Sequence, residues 1–157
     1  MLSSIFYNVT CISSKAKHRV LGDYDEQAKR VLVLGAGYVS APVVEYLTRS
    51  NDVALYVASA LREEADNLAK RFPRTEPVLL NVTERPDLLR EYVDKADVVV
   101  SLLPYALHPL VAEQCIQAKT NMVTASYLSD PMKQLHQRCV ISLFSTASRT
   151  LHNCETV

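Results

Sequence analysis

Two glycines one residue apart, Gly35 and Gly37, break an apolar run in the string Val-Leu-Val-Leu-Gly-Ala-Gly-Tyr-Val-Ser over residues 31–40. Residues of these types at this spacing bind phosphate. The first glycine permits a tight turn out of a buried strand, and the second removes the side chain that would keep a pyrophosphate off the backbone. The backbone N–H groups that open the following helix, near Tyr38 and Val39, then face the anion with the helix dipole behind them. The third glycine of the G-x-G-x-x-G pattern is replaced by Ser40, followed by Ala41. Both are small enough for helix and strand to pack closely. The pattern has weight only after a strand and before an amphipathic helix. Elsewhere it is just a glycine-containing turn.

In an open α/β sheet a ligand lies outside the carboxyl ends of the strands, so the strand ends hold the other candidates. The second strand runs into Ser59, Ala60, Leu61 and Arg62. An NAD site usually offers an acidic residue there to the ribose hydroxyls, and none stands at this place. Ser59 can bond a ribose or a 2′-phosphate and Arg62 can pair with that phosphate, which leans toward NADP; a solvated Arg62 in a first helical turn is the plain alternative. The third strand ends at Asn81 and Val82, with Asn81 either at an adenine edge or capping a turn. The fourth ends at Ser101, Leu102, Leu103 and Pro104, small and apolar residues suited to the nicotinamide side. His108 follows, either as an acid or base near neutral pH or as a cap for a helix beginning at Pro109. The fifth ends at Ser126 and Tyr127, whose hydroxyls serve a substrate or ordinary turn chemistry.

The elements that must position these residues alternate. Strands are expected at 31–34, 53–57, 78–80, 96–103 and 122–125, from apolar runs that suit strands buried on both faces. Helices are expected between them, at 42–49, 61–72, 85–95 and 109–119. Pro42 and Pro86 fall near helix starts, Pro73 ends the second helix, and Thr83 is read as an N-cap. Short links in βαβ order imply an α/β fold: a Rossmann-like, doubly wound parallel sheet in three layers. A short helix at 130–137 and a sixth strand at 139–144 are weaker expectations, which leave the fold incomplete at its C-terminal end.

The 157 residues are one domain's worth of chain. Lys plus Arg and Asp plus Glu number 17 each, so there is no basic footprint for nucleic acid. No apolar run approaches the ~20 residues of a membrane span. The four cysteines and four histidines are scattered without a zinc spacing, which points to reduced thiols in an intracellular protein and no metal site. Residues 1–28 read as an unstructured leader, basic and free of acidic residues over the first 22. They match a transit peptide weakly. The expected divisions are this leader, a dinucleotide-binding domain at 29–137, and a divergent, poorly ordered tail at 138–157.

Taken together, the strings Val-Leu-Gly-Ala-Gly-Tyr-Val-Ser-Ala-Pro (33–42), Ser-Leu-Leu-Pro-Tyr-Ala-Leu-His-Pro (101–109) and Asn-Met-Val-Thr-Ala-Ser-Tyr (121–127) resemble the glutamate-forming saccharopine dehydrogenases over residues 29–137. In animals that activity is the C-terminal half of the bifunctional α-aminoadipic semialdehyde synthase of lysine degradation. The resemblance implies hydride transfer from saccharopine's secondary amine to NAD or NADP. Hydrolysis of the imine then gives glutamate and aminoadipic semialdehyde. It carries the phosphate contacts onto Gly35, Ala36, Gly37, Tyr38 and Val39, and the ribose contacts onto Ser59, Ala60 and Arg62. Asn81 and Val82 would lie at the adenine, Ser101 through Pro104 at the nicotinamide, and Ser126 and Tyr127 at the substrate. The resemblance associates animal members with NAD and the mitochondrial matrix and fungal reductases with NADPH, which leaves NAD or NADP open and implies an intracellular place, mitochondrial matrix or cytoplasmic. The family continues into a large substrate domain, whereas the tail from Arg138 does not resemble it. The chain is therefore expected to bind dinucleotide without turning over saccharopine alone. The alternative is a non-catalytic dinucleotide-binding or interaction module from a truncated transcript.

Overall fold

The computed structural model describes residues 7–9, 28–127, 129–135 and 138–139. Six strands form one sheet: β1 (Tyr7–Val9), β2 (Lys29–Leu34), β3 (Val53–Ser59), β4 (Thr75–Leu79), β5 (Val98–Ser101) and β6 (Asn121–Thr124), in the order β1-β6-β5-β2-β3-β4. The five strands β2 to β6 are parallel, and β1 adds antiparallel to the outer edge of β6. Helices α1 (Ser40–Thr48), α2 (Arg62–Arg71), α3 (Pro86–Lys95) and α4 (His108–Ala118) connect the parallel strands, and α5 (Asp130–Gln134) follows β6. The crossover through α3 carries the chain from the β4 edge past β2 to β5. The direction of winding therefore reverses between β2 and β5, the switch point of a doubly wound sheet.

Successive residues of β2 point to opposite faces, and both faces are covered. Val31 and Val33 join Val44 of α1, Leu55 and Val57 of β3 and Leu68 of α2 in one core cluster. Leu32 and Leu34 join Leu89 and Val93 of α3 and Val111 and Cys115 of α4 in the other. This makes the three layers anticipated from the apolar runs.

Several boundaries differ, for local reasons. β4 begins at Thr75, three residues before the expected start, and contains Pro77. It is an edge strand, where a missing N–H and half-exposed side chains are tolerated, so its apolar signal is diluted. β5 is shorter than expected, Val98–Ser101 in place of 96–103. Thr83 does not cap α3: its N–H and hydroxyl both bond Asn81 Oδ1, at 3.1 and 2.8 Å, and the residue before the helix is Arg85. α5 stops at Gln134, short of 137. Residue 139, the start of the expected sixth strand, is helical, its N–H bonding the Leu135 carbonyl at 3.0 Å; the remainder of that strand and the tail beyond it lie outside the described residues. Tyr7–Val9, within the stretch read as an unstructured leader, is paired with β6.

The amino end of the sheet is tied by Arg74. Its guanidinium donates to the carbonyls of Thr48 and Ser50 (2.8 Å each) and Val53 (3.3 Å), and to Asn51 Oδ1 (3.0 Å). These bonds satisfy carbonyls at the end of α1 and hold Arg74 in a left-handed backbone conformation, φ 52°. The opposite end is thereby left to loops.

Candidate functional site

One register row crosses the carboxyl end of the sheet: Val78, Ala58, Leu34, Ser101 and Thr124 stand side by side on β4, β3, β2, β5 and β6. The residues singled out in the sequence as site candidates lie at this row, in the loops leaving it or at the first positions of the helices that follow. The ladder runs one step further, with Gly35 N–H bonded to Ala58 O and Leu102 N–H to Leu34 O, both at 2.8 Å. The β2 and β5 loops therefore separate above the switch point from a fixed base.

Gly35 and Gly37 have different physical jobs. Gly35 has φ +104°, and a Cβ on it would stand 3.3 Å from the Leu102 carbonyl carbon and oxygen. It lets two loops meet. Gly37 has no atom within 4 Å of where a Cβ would be, so its missing side chain leaves open space. That space adjoins the start of α1, which has no side-chain cap and no acidic residue in its first turn. Tyr38 and Val39 extend outward, Tyr38 fully exposed. The Ser40 N–H bonds the Gly37 carbonyl at 3.1 Å; a helix dipole with no acidic residue or side-chain cap over it, beside an unobstructed backbone, suits an anion.

Ser40 does more than stay small. Its side chain is buried and its hydroxyl donates to the Gly35 carbonyl at 2.7 Å. The glycine turn is thus tied to the helix it precedes. Sequence reading missed this bond, although a hydroxyl five residues after the turn glycine was a usable signal.

At the end of β3, Ser59 is buried and occupied on two sides. Its Oγ accepts from the Leu61 N–H at 3.1 Å and donates to Glu64 Oε2 at 3.0 Å. Arg62 pairs with Asp66 at 3.5 Å, one helical turn along. Ala60 is exposed beside them. An acidic group therefore stands at this strand end after all. It comes from α2 rather than from the strand, so its spacing from the glycines hid it.

At β4, Asn81 Oδ1 makes the turn to Thr83 described above, and Val82 is buried in the α3–α4 core. At β5, Ser101 is fully buried with its hydroxyl 3.0 Å from His108 Nδ1, and His108 is buried at the first position of α4. His108 thus neither caps a helix from Pro109 nor faces the open side; it locks the β5 loop to α4. Leu102 packs toward the α1–α2 core and Leu103 toward the other, leaving Pro104 and Tyr105 exposed at the rim. At β6, Ser126 bonds the Tyr127 carbonyl at 3.3 Å and Tyr127 is exposed. Among the described residues, no group of three His, Cys, Asp or Glu is arranged to hold a metal, and no helix is long and apolar enough to cross a membrane.

Burial pushes the His108 imidazole below the ordinary histidine value of 6.5. Below pH 6.5 the unfolded chain therefore binds a proton there more readily than the folded protein does. Its contribution to stability is therefore complete above pH 6.5 and is lost as pH falls from there toward the depressed folded value. Thermal melts should show Tm falling between pH 7 and pH 5, with a shallower fall in His108→Gln. Equal slopes in the two proteins would refute this origin. The carboxylates of Asp87 and Asp130, held low by hydrogen bonds from Arg85 and Lys133, act only below 3.8 and do not confuse the window.

Comparison with known proteins follows the same stretch of chain. The family model described as saccharopine dehydrogenase NADP binding domain matches residues 31–143. The chain is 46% identical over 109 residues to the mitochondrial alpha-aminoadipic semialdehyde synthase of Mus musculus, covering 69% of this chain and 12% of that protein. It is 38% identical over 112 residues to saccharopine dehydrogenase (NADP(+), L-glutamate-forming) of Saccharomyces cerevisiae, covering 71% and 25%. The apo structure of the L-Glu-forming enzyme from Saccharomyces cerevisiae superposes with a TM-score of 0.67 at 36% identity, over 71% of this chain and 24% of that one. The chain therefore spans about an eighth to a quarter of the length of these relatives.

Proposed function

Because the chain belongs to the saccharopine dehydrogenase NADP binding domain family, we propose that it holds a nicotinamide dinucleotide across the switch point between β2 and β5, as the cofactor-binding part of an oxidoreductase acting on saccharopine. The observation that carries this reading is the contrast between Gly35, packed against Leu102, and Gly37, open to solvent beside an uncapped helix start. The backbone of Gly35, Ala36, Gly37, Tyr38 and Val39 would take the pyrophosphate. The β3 end, with Ser59, Ala60 and Arg62, would take the adenosine ribose, and Asn81 the adenine side. Ser101, Leu102, Leu103 and Pro104 would wall the nicotinamide, with Ser126 and Tyr127 toward the substrate.

When bound, the nicotinamide supplies the hydride acceptor for oxidation of a secondary amine. The chain's own residues position it. The buried Ser101–His108 pair fixes the β5 loop, and Ser40 fixes the glycine turn, so both walls are set before binding. A proton acceptor is another matter, since the His108 side chain is buried against Ser101 and burial makes it a weaker base. Groups that grip the substrate and take its proton would then come from a separate part of a complete enzyme. The mitochondrial relative and the intracellular reading of the cysteines support a place in the mitochondrial matrix or the cytoplasm.

The test is a fluorescence titration of the 157-residue chain with NADH and NADPH, followed by saccharopine and oxidised cofactor. Saturable binding without turnover is expected. Failure of a folded sample to bind either dinucleotide would overturn the reading; saccharopine-dependent cofactor reduction would overturn the expectation that catalytic groups lie elsewhere.

A further inference from the structure

We infer that Glu64, held by Ser59, is the residue that sets dinucleotide choice at this site and makes it favour NAD over NADP. The inference rests on the dinucleotide-binding reading above and goes beyond it, because the β3 strand end itself offers Ser59 and Ala60 where an acidic residue usually stands.

Glu64 is the third residue of α2, where a glutamate commonly reaches back to the N–H before its helix. Here the reach is relayed. Ser59 Oγ accepts from that N–H, on Leu61, and donates to Glu64 Oε2. The relay draws the carboxylate to the end of β3 and uses one of its oxygens. The other carboxylate oxygen has acceptor capacity for the vicinal hydroxyls of an unmodified ribose. A 2′-phosphate at the same place would meet like charge.

The surrounding charges reinforce the choice. Over the first turn and a half of α2, Arg62 is opposed by Glu63, Glu64 and Asp66, one positive charge against three negative. Arg62, the cation a 2′-phosphate would need, stands 3.5 Å from Asp66, whose charge partly offsets its own without removing it from solvent. An NADP site needs a cation free to close on the phosphate. This strand end instead supplies an oriented carboxylate.

The experiment compares NADH and NADPH titrations of the native chain, Glu64→Gln and Glu63→Gln. Glutamine can still accept from Ser59, so Glu64→Gln tests charge while keeping the relay. The native chain should bind NADH about tenfold more tightly than NADPH. Glu64→Gln should erase that preference, weakening NADH and strengthening NADPH. Glu63→Gln removes the same charge from the adjacent position and should leave the ratio unchanged. Should Glu64→Gln fail to fold, Ser59→Ala, which frees the carboxylate, should shift the ratio in the same direction. A native chain that prefers NADPH or shows no preference overturns the assignment. So does a Glu64→Gln chain weakened equally toward both ligands, the result for a helix cap alone, or an equal shift from Glu63→Gln. In each of these cases the dinucleotide-binding reading stands. Binding of neither dinucleotide by folded protein overturns both.

Discussion

Replacing Gly37 with valine is expected to leave the chain folded and to abolish dinucleotide binding. Apart from its two chain neighbours, no atom of the described residues lies within 4 Å of a Cβ at this position, and its backbone has no left-handed φ, so the new side chain starts in open space. It does fill the approach to the N–H groups that open α1. Losing two charge-assisted hydrogen bonds to a pyrophosphate costs about 3 kcal/mol or more, a hundredfold or greater drop in affinity. Circular dichroism should give a melting curve close to native, while NADH titration gives no saturable signal. Undiminished NADH affinity in Gly37→Val would mean that the phosphates do not cross this turn.

The adjacent substitution should fail in the opposite way. Gly35→Ala puts a Cβ on a residue at φ +104° and brings it 3.3 Å from two Leu102 backbone atoms. The backbone strain costs roughly 1–3 kcal/mol, and forcing the β2 and β5 loops apart adds about 1 kcal/mol. With about 3 kcal/mol lost, Tm should fall by roughly 10 °C in a domain of this size. Binding would weaken too, but through a displaced turn rather than a blocked surface. A Gly35→Ala chain that melts within about 2 °C of native would show that the turn relaxes freely.

Much of this architecture was readable before any coordinates. Val31–Leu34 and 53–57 carry unbroken apolar runs because parallel central strands are buried on both faces, and periodicity alone locates them. β4 was read short because an edge strand can include Glu76 and Pro77 without penalty. β1 was unreadable for a related reason: a three-residue edge strand is specified by its partner, not by its own pattern. The helical residue at 139 defeated a strand reading built on a short apolar run, which periodicity does not distinguish from helix.

The candidate site divides along the same line. The glycine turn is local, so its spacing is visible in the chain. The Ser59–Glu64 relay and the Ser101–His108 contact depend on how a helix returns over a strand end, and no spacing rule announces them. His108 shows the consequence: a histidine between a strand and a helix invites a catalytic reading until burial reveals a packing group. Asn81 makes a turn with Thr83, one of the two alternatives its position allows, and Thr83 is engaged there instead of capping α3.

The antiparallel edge has a consequence for the order in which the chain can be built. Val9 pairs with Met122, and Tyr7 with Thr124, across more than a hundred intervening residues. At about 5–20 residues per second, β1 leaves the ribosome several seconds ahead of its partner. As they emerge in turn during that interval, β2, β3, β4 and β5 can pair among themselves, whereas the partner of β1 is made after all of them. Its ladder closes the longest loop in the sheet and returns only three residue pairs of contact. Vectorial synthesis thus makes β1, the earliest of the described strands, wait for the last of them before it can enter the sheet.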